Sequence, residues 1–269
     1  MPRRDVTYAL SGPFGQRTIS LSLDPGLYTQ EVILGFLDSG RLYEAETSLL
    51  MASILHEGDA MIDVGAHVGW FSMLAAAVVG RRGEVWALEP EPRNFSQLVE
   101  HIGLNRAWHV HPLHMAASLT PGVATFHLNA GNDGGHSLGD VGTIPMNEEA
   151  RANPNVRQVY VTSLDAMFAA RTMPPIRVLK IDAEGFEHQV LMGAQGLLKA
   201  GRIEFVIAEM NHACFEVTGT SEDAIRAYMD SMGYDTYAIR HDAVQLVKLA
   251  PDQHVPGPFV FNLVFKRRD

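Results

Sequence analysis

Acidic residues at the ends of apolar segments are the first residues in this sequence that could do chemistry. Asp63 closes one such segment and is followed by a turn that contains Gly65 and Gly69. Twenty positions after Gly69, a second apolar segment, 84–88, ends at Glu89. Glycines let the backbone approach a ligand closely, and a carboxylate can accept hydrogen bonds from both hydroxyls of a ribose. This order of strand, turn, helix and acid is typical of a site for an adenosine-bearing cofactor.

The spacing within the turn distinguishes between cofactors. A dinucleotide-binding turn reads Gly-x-Gly-x-x-Gly and holds a pyrophosphate at the N-terminus of the next helix. Here the pattern is Asp-x-Gly-x-x-x-Gly, with His67, a residue type that tolerates positive φ, in the middle. The carboxylate of Asp63 would repel a pyrophosphate but suits the ammonium group of S-adenosylmethionine. The residues therefore favour this methyl donor over a nicotinamide or a flavin. A purely structural turn, with Asp63 capping the helix, is the remaining alternative.

Two later strands also end in acids, and these are where an acceptor could meet the donor. Asp182 ends one apolar run, closely followed by Glu184, and Glu209 ends the next, followed by His212. Ligands of open α/β sheets bind beyond the carboxyl ends of the strands. In methyl transfer, alignment contributes on the order of 7–11 kcal/mol, and a positioned base adds roughly a hundred- to ten-thousand-fold. Asp182, Glu184 and His212 are the candidate bases, although Asp182 could instead cap a helix and His212 could be structural.

The same residues are also candidates for binding a metal ion. Asp182, Glu184, Glu209 and His212 could together form an oxygen-rich site for a divalent cation. No local ligand motif accompanies them, so the sequence predicts no metal. Cys214 is the single cysteine, which excludes an internal disulfide framework and a cysteine-based zinc site.

The spacing of apolar residues predicts the helices and strands that position these acids. Helical spacing is found in 46–57, 70–79, from about 92 to 102, after Asp182, and in 222–232, whereas strand-like runs end at Asp63, Glu89, about Ala116, Thr162, Asp182 and Glu209. Strands that alternate with helices predict a mainly parallel sheet with right-handed crossovers. The last three strand-like runs, 234–239, 244–249 and 259–265, have no helix between them and predict antiparallel strands at one edge of the sheet.

Composition narrows the class of protein. The chain has 269 residues, of which 46% are hydrophobic, and a formal net charge of −10. An acidic balance argues against nucleic-acid partners, which usually bind a basic face. No apolar run reaches the length of a membrane span, and no signal-peptide pattern follows the first residues. We therefore expect a cytoplasmic protein with a small-molecule substrate; homo-oligomerisation stays open.

Three motifs together resemble the FkbM family of S-adenosylmethionine-dependent methyltransferases. They are Ile-Asp-Val-Gly-Ala-His-Val-Gly-Trp-Phe-Ser at 62–72, Glu89-Pro90, and Leu-Lys-Ile-Asp-Ala-Glu-Gly-Phe-Glu at 179–187. The resemblance covers about 43–211, and Lys-Ile-Asp-x-Glu-Gly is its most specific part. It implies a class I, Rossmann-like methyltransferase fold: an α/β protein with a seven-stranded, mostly parallel sheet, an antiparallel C-terminal strand and helices on both faces. Residues 1–45 would form an N-terminal cap and 46–269 the donor-binding domain.

The resemblance also implies roles for individual residues. Asp63, Gly65, Ala66, His67 and Gly69 would line the methionine end of the donor; Glu89, next to Pro90, would hold the ribose; Ala116 and Ala117 would flank the adenine; Asp182 would lie near the reacting centre; and Tyr43, Glu46 and Thr47 would close over the methionine moiety. It implies O-methylation of a hydroxyl on a natural product, sugar or glycolipid precursor, with S-adenosylhomocysteine as product. The alternatives are a donor-binding scaffold without activity and, less favoured, a nicotinamide-dependent oxidoreductase.

Overall fold

The computed structural model describes residues 2–168, 170–171, 174–240, 244–255 and 260–269. Its β-strands are β1 (Arg4–Gly12), β2 (Gly15–Leu23), β3 (Ala60–Val64), β4 (Glu84–Leu88), β5 (Val110–Leu113), β6 (Ala116–Ala117), β7 (Gly122–Leu128), β8 (Asn155–Thr162), β9 (Ile176–Ile181), β10 (Ile203–Asn211), β11 (Tyr234–Ile239), β12 (Leu246–Lys248) and β13 (Val260–Arg267). Its α-helices are α1 (Tyr28–Asp38), α2 (Ala45–Ile54), α3 (Trp70–Val79), α4 (Pro92–Asn105), α5 (Glu148–Ala152), α6 (Leu164–Phe168), α7 (Glu187–Met192), α8 (Gln195–Lys199), α9 (His212–Thr218) and α10 (Glu222–Ser231).

The central sheet has the strand order β12-β11-β13-β10-β9-β3-β4-β5. The five strands from β10 to β5 are parallel. The C-terminal strand β13 runs antiparallel between β10 and β11. The expectation of an α/β fold with a mostly parallel sheet and an antiparallel C-terminal strand is therefore confirmed. β13 is inserted inside the sheet and does not form its edge.

The predicted number of seven strands was wrong, because the described residues form a sheet of eight. The additional strand is β12, which pairs antiparallel with β11 from Ile239↔Leu246 to Tyr237↔Lys248. An open edge of β11 offers unpaired backbone groups, and the short apolar run around 246–248 satisfies them. Phe259, predicted to start the last strand, lies outside the described residues.

The inner strands are apolar throughout because both faces of the sheet are covered. Neighbouring residues on paired strands alternate between the two faces. Met61 and Val178 belong to a core with α1–α4, whereas Ile62 and Leu179 belong to a core with the helices on the other side. Every residue of β3 is buried, so the strand that carries Asp63 is held rigidly.

The N-terminal segment is a β-hairpin followed by α1, and it packs on the same core as the sheet. Leu21 of β2 and Ile33 of α1 share a buried cluster with Leu74 of α3. Polar contacts add to this packing: the Gln97 side-chain amide of α4 donates to the Ser22 carbonyl at 2.7 Å. The division of the chain at residue 45 stays a prediction.

A smaller three-stranded sheet, with the order β6-β8-β7, lies after the parallel strands β4 and β5 in the chain. A glycine-rich loop leaves β7, and His127 and Ser137 pair across its base. The Ser137 hydroxyl donates to the Glu184 carbonyl at 2.7 Å, so this loop is attached to the end of β9. None of the described helices is long and apolar enough to cross a bilayer.

Candidate active site

A cavity of about 510 Å³ opens at the carboxyl ends of the parallel strands. Such a volume is within the range of small-molecule sites. Of the residues predicted to form the site, those that line the cavity are Tyr43, Gly65, Ala66, His67, Glu89, Pro90, Ala116, Ala117, Asp182 and Glu184. Those that do not line it are Glu46, Thr47, Asp63, Gly69 and His212.

The glycine turn after β3 has the conformation that its sequence predicts. Gly65, His67 and Gly69 all have positive φ, at +77°, +52° and +93°. A Cβ atom on Gly65 would lie 1.7 Å from the carbonyl oxygen of Asp182, so that only glycine allows the turn to approach β9 this closely. A Cβ atom on Gly69 would lie 2.5 Å from Leu98 Cδ1, so Gly69 faces α4.

Glu89, immediately after β4, presents a fixed carboxylate to the cavity. Its side chain is 5% exposed. Oε2 accepts the backbone N–H of His67 at 2.8 Å, and Oε1 accepts the backbone N–H of Glu91 at 2.7 Å. Burial raises the pKa of Glu89 to about 7, although these N–H groups act against the rise. The carboxylate is thus oriented by the same turn that the glycines shape.

Asp63 is buried beneath the surface of the cavity. The Ser72 hydroxyl donates to its Oδ2 at 2.6 Å, and no described residue donates to its Oδ1. Burial raises the pKa of Asp63, and Lys180, its cross-strand partner on β9, opposes that rise. Asp63 therefore does not line the cavity itself and contacts residues that do, such as Lys180.

Lys180 is a lining residue that sequence analysis missed. It is 1% exposed, and its Nζ lies 3.0 Å from Asp182 Oδ2. Burial alone would lower the pKa of Lys180, but the carboxylates of Asp182, Glu44 and Asp63 outweigh burial and raise it. The available signal was its position two residues before Asp182, since alternate residues of a strand share a face.

Three acids meet on the side of the cavity formed by β9 and β10. Asp182, Glu184 and Glu209 each place a carboxylate oxygen within 4.8 Å of the others. Burial, followed by the charge of Asp182, raises the pKa of Glu184 to about 8 and also raises that of Glu209. Glu184 has a φ of +48°, which is uncommon for a residue with a side chain and is typical of functional sites.

Glu187 holds the segment that carries these acids. Its Oε1 accepts the backbone N–H of Ala183 at 2.8 Å, and its Oε2 accepts that of Gly185 at 3.0 Å. Burial raises the pKa of Glu187 to about 7. A glutamate in the first turn of a helix is usually exposed to solvent, whereas Glu187 is buried.

His212 lies apart from the acids. Its Nε2 is 3.3 Å from Glu222 Oε2, and its side chain is 45% exposed. Thr47 is buried behind the cavity wall, where the side-chain amide of Asn262 donates to its hydroxyl at 3.1 Å. That amide also donates to Glu44, a cavity residue which sequence analysis did not select.

The glycine-rich loop after β7 also lines the cavity. His67 Nε2 lies 2.9 Å from Asp133 Oδ2, and the backbone N–H of Thr29 donates to Asp133 Oδ1 at 2.7 Å. Burial favours a higher pKa for Asp133, but the contacts with His67 and Thr29 outweigh it and lower the pKa. Asp133 therefore joins the loop, the start of α1 and the glycine turn.

The fold is that of an α/β protein with a cavity at the carboxyl edge of its sheet. Comparison with known sequences identifies the family: a model of the methyltransferase FkbM domain matches residues 63–236. The chain therefore belongs to the FkbM methyltransferase family, and the resemblance seen in its motifs is confirmed.

Similar proteins include hexuronic acid methyltransferase AglP of Haloferax volcanii, which is 26% identical over 170 residues. The match covers 62% of this chain and 62% of that protein, so the chain spans less than two thirds of its curated relative. The crystal structure of methyltransferase FkbM from Methylobacillus flagellatus gives a TM-score of 0.47 at 15% identity, covering 77% of this chain and 43% of that one. An S-adenosylmethionine-dependent O-methyltransferase from Thermotoga maritima gives 0.43 at 11% identity, covering 97% and 78%.

Proposed function

We propose that this chain is an S-adenosylmethionine-dependent methyltransferase that O-methylates a small molecule and releases S-adenosylhomocysteine. The observation that carries the proposal is the buried carboxylate of Glu89, which lines the cavity. An ionised carboxylate has about four acceptor sites, and two are used by the backbone N–H groups of His67 and Glu91. The remaining acceptor sites match the two hydroxyls of a ribose.

The rest of the donor would extend from this anchor. Adenine would lie against Ala116 and Ala117 beside Pro90, all of which line the cavity. The methionine moiety would cross the turn at Gly65, Ala66 and His67 towards Tyr43. Asp63, Gly69, Glu46 and Thr47 would support these residues from behind the wall. The sulfonium would then face the acids at the end of β9.

The acceptor would bind on the side of these acids. Asp182 lies at the end of β9 and would stand near the reacting centre. In the absence of a bound cation, Glu184 is a candidate base, because its pKa of about 8 allows proton transfer near neutral pH. His212 is turned towards Glu222, so the proposal depends on Asp182 or Glu184. A hydroxyl of a sugar or natural product is the proposed acceptor group, and the name of the Haloferax relative makes hexuronic acids the first compounds to test.

Donor binding tests the anchor directly. Calorimetric titration of S-adenosylmethionine into wild type and Glu89→Gln should show at least about tenfold weaker binding by the variant, since one hydrogen bond to a charged group contributes about 1.5–3 kcal/mol. Glu84→Gln is the matched control, because Glu84 lies at the other end of the same strand. Equal affinities of Glu89→Gln and wild type would overturn the ribose assignment.

Turnover separates the enzyme from its alternatives. Labelled methyl groups should pass from the donor to one member of a panel of hexuronic acids and hydroxylated sugars, and Asp182→Asn should slow this transfer more than it weakens donor binding. Donor binding without transfer to any acceptor would instead support a scaffold. A change in NADH fluorescence on titration would support an oxidoreductase.

A further inference from the structure

The three acids at the ends of β9 and β10 have more oxygen atoms than the protein provides with partners. Lys180 donates to Oδ2 of Asp182 at 3.0 Å. The side-chain amide of Asn211 and the thiol of Cys214 donate to Oε2 of Glu184 at 3.1 and 3.3 Å. In the described part of the chain, these bonds leave Asp182 Oδ1 and Glu184 Oε1 available to a ligand.

Glu209, one of the three acids, has a carboxylate oxygen that lacks a partner. Its Oε1 is buried and has no hydrogen-bond partner among the described residues. Asn262, which pairs with Glu209 across β10 and β13, has a buried Oδ1 that also lacks a partner there. Buried acceptors without a donor are costly, so a group that is positive or that donates protons is expected beside them.

The local charge balance leads to the same conclusion. Five carboxylates line the cavity, those of Glu44, Glu89, Asp182, Glu184 and Glu209. Among the described lining residues, Lys180 is the single ammonium or guanidinium group. One lysine cannot balance the Asp182, Glu184 and Glu209 carboxylates together, because like charges this close disfavour each other's ionisation.

We propose that Asp182, Glu184 and Glu209 bind one divalent cation, of the Mg²⁺, Mn²⁺ or Ca²⁺ class, at the acceptor side of the cavity. Hard cations of this class prefer carboxylate oxygens. Oxygens on opposite sides of Ca²⁺ lie about 4.6–5.2 Å apart and those around Mg²⁺ about 4.0–4.2 Å apart. The three carboxylate oxygens lie within 4.8 Å of one another, so one ion could contact all three after a small closure of the cluster.

The inference revises the expectation of no metal, which depended on the lack of a local ligand motif. The ligands come from two parallel strands, so their convergence is set by the register of β9 and β10. The role of the cation depends on the proposed function, whereas its binding does not. In that role, water or an acceptor oxygen would complete the coordination of the cation beside the donor. The site itself can be tested without methyl transfer.

Binding of Mn²⁺ to the full chain is the direct test. Protein freed of metal with a chelator is titrated with Mn²⁺, and free Mn²⁺ is measured by electron paramagnetic resonance. We expect one bound ion per chain, displaced by excess Mg²⁺ or Ca²⁺, and at least tenfold weaker binding to Glu209→Gln. Glu216→Gln is the control, because Glu216 is an exposed acid on α9, outside the cluster. It should bind like wild type.

Thermal unfolding keeps the test decisive if a variant folds poorly. Mn²⁺ should raise the melting temperature of wild type and of Glu216→Gln, and it should not raise that of Glu209→Gln. No binding at millimolar Mn²⁺, as expected if Glu209 simply holds a proton, would overturn the proposal. Equal affinity of the two variants would overturn it as well. Donor binding is measured in a separate titration. A chain that binds the donor but does not bind Mn²⁺ contradicts only the proposed cation site, and a chain that binds Mn²⁺ but does not bind the donor contradicts only the proposed donor site.

Discussion

Replacement of Gly65 by alanine tests whether the glycine turn must touch β9 for the site to exist. A Cβ atom there would lie 1.7 Å from the Asp182 carbonyl oxygen, whereas real Cβ contacts essentially never fall below 3.0 Å. The turn and the end of β9 would have to separate by more than 1 Å. Because Asp182 follows β9 directly, that separation would also displace the acid proposed to lie at the reacting centre.

The magnitude has two parts. A left-handed backbone costs a residue with a side chain about 1–2 kcal/mol, and forcing extra volume into a packed region typically adds about 1–3 kcal/mol. Gly65→Ala should therefore lower the free energy of unfolding by about 2–5 kcal/mol. Gly58 also has a positive φ, +92°, but no atom lies within 4 Å of a Cβ placed on it. Gly58→Ala should show the backbone part alone.

Urea unfolding of both variants, followed by circular dichroism, gives the two free energies. Calorimetry then compares their affinities for S-adenosylmethionine, which should fall at least tenfold in Gly65→Ala and stay near wild type in Gly58→Ala. If the two variants lost equal stability and both bound the donor normally, the close approach of the turn to β9 would not matter, and the reasoning would be refuted.

Two further predictions concern the charges around the cavity. Burial raises the pKa of Glu187 to about 7 and that of Glu184 to about 8, so the native state holds protons that the unfolded chain has released. The free energy of unfolding of the ligand-free protein should consequently be highest near pH 4.5 and fall as the pH rises towards 8. The fall should reach up to about 1.4 kcal/mol per pH unit for each group. Urea unfolding across this pH range measures the fall, and Glu187→Gln should make it less steep; a free energy of unfolding that rises with pH would contradict the prediction. Separately, Asp133→Asn should loosen the glycine-rich loop after β7, seen as at least tenfold faster amide hydrogen exchange in 129–136. Asp140→Asn, which changes an exposed carboxylate that accepts the N–H of Gly142, should not have this effect. Unchanged exchange in Asp133→Asn would show that the contacts of Asp133 with His67 and Thr29 do not hold the loop.

The central strands could be predicted because burial on both faces leaves a simple signal. The five residues of β3 are all buried, and the sequence there is apolar apart from Asp63. The turn that follows was equally readable, since Gly65 and His67 belong to the few residue types that accept positive φ. These segments also carry the family motifs, so fold and family were predicted together.

Other elements were predicted less completely. The run 244–249 was predicted to be an antiparallel strand, and β12 lies within it, but the seven-stranded sheet implied by the family resemblance does not include it. The hairpin of β1 and β2 lies on the surface of α3 and α4, and most residues of β1 are exposed. Its apolar residues do alternate, at Val6, Tyr8 and Leu10 in β1 and at Ile19, Leu21 and Leu23 in β2, and the prediction of an N-terminal cap did not use this strand signal.

The site was predicted less completely because its contacts depend on the register between strands. Lys180 faces Asp63 only because β9 and β3 pair at that position, and Glu209 faces Asn262 only because β13 enters the sheet beside β10. Register of this kind is not visible in a single sequence. His212 shows the converse: it follows Glu209 closely in sequence, but α9 begins there and directs it towards Glu222.

The two ends of the cavity differ in how their carboxylates are balanced, and this difference bears on what can bind. At the β4 end, Glu89 is surrounded by backbone N–H groups and retains acceptor capacity for neutral hydroxyls. At the end formed by β9 and β10, Glu184 and Glu209 have raised pKa values because burial and neighbouring acids disfavour their charge. A ligand that is neutral beside Glu89 and cationic beside Glu184 and Glu209 would interact favourably with the carboxylates at both ends. A sulfonium nucleoside has that distribution of charge. A divalent cation beside it would allow an anionic acceptor, such as a sugar acid, to bind next to the same carboxylates.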